Sequence, residues 1–180
     1  MVQVQVPDEE LLLALLNTTP TIDGVRVDRL ADPEDARAWI REQSGGRRAA
    51  EDLALLRDTR DTLQELVRGT ASPTALAPAL NGVHYRAVVD GTGISWELTA
   101  PAEHALAARA AVAWDALHGR APGRLRHCEN TEECSLYLID HSKSNSARWC
   151  SMAGCGNRMK ARRHYERRRN AQPAARSQER

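Results

Sequence analysis

The sequence predicts an α+β chain, mostly α, in which an N-terminal helical domain with one small β-hairpin precedes a small four-cysteine module ending in a basic helix. Three observations predict this. Apolar residues recur at helical spacing through most of the first 120 positions and show β-type alternation in one place. All four cysteines fall between positions 128 and 155, and the charge divides with them. Residues 1–120 hold twelve basic and eighteen acidic side chains, a net −6, while residues 121–180 hold thirteen and six, a net +7. Phe is absent and only seven residues are aromatic, so the core must be built from Leu, Ala and Val.

Element by element, "DEELLLALLNTT" (8–19) reads as a short helix with acids at its start and Asn17 near its end. In "DPEDARAWIREQ" (32–43) Asp32 is the expected N-cap and Pro33 occupies the first turn. The stretch 49–69 aligns Leu53, Leu56, Leu63, Leu66 and Val67 on one face and stops at Gly69. "SPTALAPALNG" predicts a further short helix or turn, and "VHYRAVVD" and "ISWELT" around "GTG" predict a hairpin, the one β element expected. Residues 101–119 return to helix with Leu106, Ala110, Ala113, Trp114 and Leu117 aligned. Gly119, Pro122 and Gly123 break it, and the domain boundary is placed there: 1–120, 121–170, and a polar tail, 171–180, expected to be disordered. No run approaches the length of a membrane span and no signal-like start is present, which reads as a cytoplasmic chain without a membrane partner.

The cysteines follow C-x5-C, fifteen residues, then C-x4-C, two close pairs separated by a loop long enough to fold back. Cys128, Cys134, Cys150 and Cys155 therefore suit one structural Zn²⁺ per chain, and a segment this short needs such a crosslink to fold. Two disulfides are the rival reading. His127, His141 and His164 lie nearby as substitute ligands or as ordinary surface histidines. After Cys155, Gly156 is expected to take positive φ and Asn157 to cap a helix starting at Arg158. That helix carries Arg158, Lys160, Arg162, Arg163, Arg167, Arg168 and Arg169 against one acid, Glu166. A run of one sign points to nucleic acid, and arginine suits phosphate and guanine edges.

"RWCSMAGCGNRMKARRHYERR", with "HCENTEEC" and "LYLIDHS" before it, resembles the CGNR zinc-finger family of small bacterial proteins regarded as transcription regulators. The resemblance covers about 126–169 and implies that the four cysteines ligate zinc and that the arginine helix meets DNA. Residues 8–118 resemble, more loosely, that family's partner, the ABATE-type domain, through the helix ending "LLNT", the "DPEDARAWI" stretch and the Ala-rich helix. Asn17 and Thr18 match that domain's Asn-Thr pair and are candidates to line a pocket with Trp39 and Trp114; the alternative makes Asn17 a helix C-cap and both tryptophans core. Residues 1–120 contain no phosphate loop, no His-Glu-x-x-His and no nucleophile beside a base, so no enzyme is expected. The expected function is DNA-binding transcription regulation by a zinc finger, with the acidic domain sensing an unidentified small molecule or forming a homodimer. RNA or an acidic protein surface are the alternative partners of the basic module.

Overall fold

A computed structural model describes residues 8–46 and 50–170; the expected tail, 171–180, lies outside them. Four helices build the body: α1 (Glu9–Leu16), α2 (Pro33–Gln43), α3 (Leu53–Arg68) and α4 (Ala105–Arg120). Leu11, Leu12, Leu15 and Leu16 of α1 are all buried against α3 and α4, with Leu56, Leu63, Leu106, Ala110, Trp114 and Leu117 around them. Alanines on α4 (Ala107, Ala110, Ala113) let that helix approach α1 closely, which a Phe-free core with few large side chains requires.

The helix ends follow side-chain chemistry. Asp8 and Asp32 cap α1 and α2, and Gly69 ends α3 in the left-handed conformation, φ 75°. Helix α3 begins at Leu53, because Asp52 accepts from the Ala54 and Leu55 N–H groups and sets the start there, later than the expected 49. The first turn of the 101–119 segment is a 3₁₀ turn (Ala102–His104), and α4 runs on through Gly119 to Arg120, so the helix is not broken at that glycine. A capping residue for α4 comes from elsewhere: Glu51 accepts from the Leu106 and Ala107 N–H groups at 3.0 Å. Residues 73–80 form a 3₁₀ helix.

β3 (His84–Asp90) and β4 (Gly93–Thr99) form the expected antiparallel hairpin in register Val89↔Ile94. It is not alone, which corrects the expectation of one β element. β1 (Thr21–Ile22) and β2 (Val25–Arg26) pair across Asp23-Gly24, both at positive φ, the geometry of a tight hairpin turn. β5 (Leu125–His127) pairs with β6 (Tyr137–Ile139). This last ribbon lies on the helical body: Tyr137 belongs to the main core, and Leu125 and Ile139 pack on it.

The 18–31 loop is held by a buried polar network on α3. Arg60, 3% exposed, forks onto Asp28 at 2.7 and 3.0 Å and also reaches Asp61 and Thr18. Gln64 donates to the Leu16 carbonyl and Thr19 Oγ1 and accepts from Arg26.

Candidate metal centre and nucleic-acid interface

The cysteines are presented by three short pieces of backbone. Cys128 directly follows β5, its N–H donating to the Leu136 carbonyl across the ribbon at 2.8 Å. Cys134 closes a tight knuckle by donating to the Asn130 carbonyl, also at 2.8 Å. The return strand is fixed by Asp140, whose Oδ1 accepts from Ser142 N–H and Oδ2 from Ala147 N–H. The Ser142 side chain first, then those two N–H groups and the charge of Arg126, hold its carboxyl down at about 2 against burial, and the two backbone bonds fold the 140–147 loop so that Cys150 and Cys155 come back over the knuckle. The Glu129 N–H donates to the Arg148 carbonyl and completes the closure.

The four Sγ atoms lie within 4.8 Å of one another, with Cys134 to Cys150 and Cys150 to Cys155 at 3.7 Å. A tetrahedral zinc with Zn–S of about 2.3 Å requires S···S edges of about 3.8 Å, so the donor set fits the ion. All four cysteines are free, which excludes the disulfide reading. As bare thiols three of them differ in acidity: burial raises Cys134 to about 11 and also raises Cys150, which faces other thiols. At Cys155 burial is outweighed by hydrogen bonds from Asn130 and the neighbouring thiols, leaving it at about 7. The histidines stand apart. His127 packs edge-on against Tyr137, His141 faces Glu9 at 3.5 Å, and His164 lies beside Tyr165.

The start of the basic helix differs from the expectation in two ways. Gly156 does not adopt positive φ; it is constrained by contact, since a Cβ there would meet Met152 Sδ at 2.9 Å and Trp149 Cδ1 at 3.3 Å. Nor is Asn157 an N-cap. A π turn, Met152–Gly156, runs straight into α5 (Asn157–Asn170), and Asn157 is already helical at φ −69°, ψ −39°. The cap is Ser151, which accepts from Gly154 N–H at 3.0 Å. Cys155 therefore sits in the helical turn that leads directly into α5, so its place in the thiolate cluster anchors α5 at its start.

Among the predicted nucleic-acid residues, α5 separates two faces. Arg158 donates to Cys155 Sγ at 3.4 Å and lies 3.8 Å from Glu133; Arg162 pairs with Glu132 and Glu166. Arg163 sits over the Trp149 ring at 5.9 Å, with Arg148 on the same ring at 5.2 Å. Lys160, Arg167, Arg168 and Arg169 are exposed and form no ion pair among the described residues. At about 100° per residue Lys160, Arg163 and Arg167 fall within about 60° of one another.

The structure gives the proposed pocket residues other surroundings. Asn17 is the C-cap of α1, and its side chain pairs with the Tyr137 backbone, donating at 3.2 Å and accepting at 2.7 Å. Thr18 is buried and donates to the Leu15 carbonyl. Trp39 packs against the core, while Trp114, 7% exposed, stacks on His118 at the edge of a cleft of about 210 Å³ between α3, α4 and β5. That cleft contains none of the other three. Asn130, Trp149, Glu132, Glu133 and Asp140 are site residues that the sequence reading passed over; the signal for the first was its place inside the first cysteine pair.

Fold and site together define a helical domain joined to a four-thiolate zinc finger that carries one structural zinc ion. Residues 124–168 match the family model described as CGNR zinc finger. Residues 9–120 match the ABATE model, described as "Putative stress-induced transcription regulator", and as that match covers more than half of the chain, the chain belongs to the ABATE family. No curated protein matches it.

Proposed function

We propose that this chain is a one-component regulator that binds duplex DNA through α5, with Lys160, Arg163 and Arg167 of its outward face on phosphate and Arg168 and Arg169 further round the end of the helix as additional phosphate contacts. The observation that carries this reading is the ridge of basic side chains left without carboxylate partners among the described residues, on a helix led in by a turn that holds a zinc ligand. Glu132 and Glu133 occupy the inward arginines instead. The family's description as a transcription regulator supports the same reading. Four thiolates fill a tetrahedral shell, which supports a structural role for the zinc and a binding module rather than an enzyme. Sensing or self-association would then fall to residues 9–120, in the cytoplasm.

The test is binding of the zinc-loaded chain to duplex DNA, structured RNA and an acidic protein in parallel. Salt-sensitive binding that favours the duplex is the expected result. A preference for RNA, or for the acidic protein with no duplex binding, would overturn it.

A further inference from the structure

We infer that Arg158 is a positioning residue for the zinc site, aimed at a single sulfur, and stands outside the nucleic-acid surface. Arg158 follows Cys155 by three residues, so the two share a face of the helix one turn apart. The guanidinium folds back, and its Nη2 donates to Cys155 Sγ at 3.4 Å. The buried Asn130 side chain reaches the same sulfur with Nδ2 at 3.7 Å. Cys155 alone of the four cysteines receives side-chain N–H donors among the described residues; the Cys150 N–H, a backbone donor, goes to Cys128 Sγ at 3.5 Å. At the other end of the fork Glu133 Oε2 stands 3.8 Å from Nη1 and holds the guanidinium over the cluster.

The electrostatics give this placement its purpose. Four thiolates around Zn²⁺ carry a formal charge of about −2, and that surplus is stabilised by donors aimed at the sulfurs. Arginine is charged at every working pH and offers several N–H groups in a fixed plane, so one side chain can bond the sulfur and its orienting carboxylate together. A guanidinium held in this way is turned from the ridge of Lys160, Arg163 and Arg167, which lies across the helix.

The experiment compares R158A, R158K and R167A in the full chain. Zinc affinity is measured by competition with a chromophoric chelator, the site by the thiolate-to-cobalt charge-transfer band, and each sulfur by its rate of alkylation. R158A should bind zinc roughly 10 to 100-fold more weakly, shift the cobalt band and expose Cys155 to alkylation ahead of the wild type. R158K, which keeps a charged donor, should recover most of the affinity, and R167A should match the wild type in zinc affinity, cobalt band and alkylation, whatever it does to DNA binding. Unchanged zinc affinity and cobalt band in R158A would overturn the inference, as would equal losses in R158A and R167A, which would reduce the effect to net charge. So would an R158A chain that keeps its zinc affinity and loses DNA affinity.

Discussion

Arg60 is 3% exposed, and two carboxylates, Asp28 and Asp61, keep its guanidinium there. Burial pushes Asp28 up, but the Arg60 hydrogen bond, the Leu30 N–H and the charges of Arg60 and Arg57 outweigh it and leave its carboxyl below the usual value. A carboxylate that is more acidic folded than unfolded supports the fold above the unfolded value, about 4, and withdraws that support as pH falls through its folded pKa. Asp28→Asn should therefore cost about 2 to 3 kcal/mol near neutral pH, and the difference from wild type should shrink as acid denaturation is followed below the unfolded value of about 4. A difference that persists in acid would show that the ion pair is not its source. At the metal site, Gly156→Ala places a methyl against Met152 and Trp149. The Met152 thioether is flexible, so the expected outcome is about 1 kcal/mol of lost stability, with the thiolate-cobalt band retained. Single residues of this kind were the least legible in the sequence. The four thiols can be read from spacing, whereas the constraint on Gly156 comes from Trp149 and Met152, which no local rule places beside it.

Among the elements, α1, α2 and the β3–β4 hairpin were legible because their signals are local: an acidic cap, an apolar stripe, strict alternation. The two short ribbons were not. β1–β2 has an Asp23-Gly24 turn that is itself a hairpin signal, but two-residue strands carry no alternation to accompany it. β5–β6 exists because its partners are brought together by the cysteines and by the core under Tyr137. The start of α5 was misplaced for a related reason: Asn157 is a good cap in isolation, yet Ser151 and the π turn around Cys155 begin the helix earlier. Asn17 joins the elements across the chain by bonding both backbone groups of Tyr137. Asn17→Ala leaves the N–H and carbonyl of the buried Tyr137 without that partner and should cost about 1 to 3 kcal/mol. Thermal unfolding followed by helicity, with zinc content as control, checks this, and a neutral substitution would mean that α1 and β6 are held by packing alone.

At the scale of the whole molecule, the family matches end at 120 and resume at 124, but packing crosses that line through Tyr137, Leu125 and Ile139. Chelation of zinc should unfold the cysteine module and also lower the melting temperature of the helical body, since the ribbon covers part of its core. Cys155→Ser should do the same, and a helical body that melts unchanged in either case would show that the two parts are independent. The division of charge, −6 against +7, was legible in composition, while the division of α5 into an inward face tied to Glu132 and Glu133 and an outward ridge needed the fold of the knuckle. The most direct test of that division is the salt dependence of duplex DNA binding by the zinc-loaded chain and by K160A/R163A/R167A. The wild type should give a log-log slope of roughly −3 to −5, and the triple variant, with unchanged zinc content, a slope flatter by about 2 to 3. A triple variant that binds with the wild-type affinity and slope would contradict the assignment of the ridge to DNA.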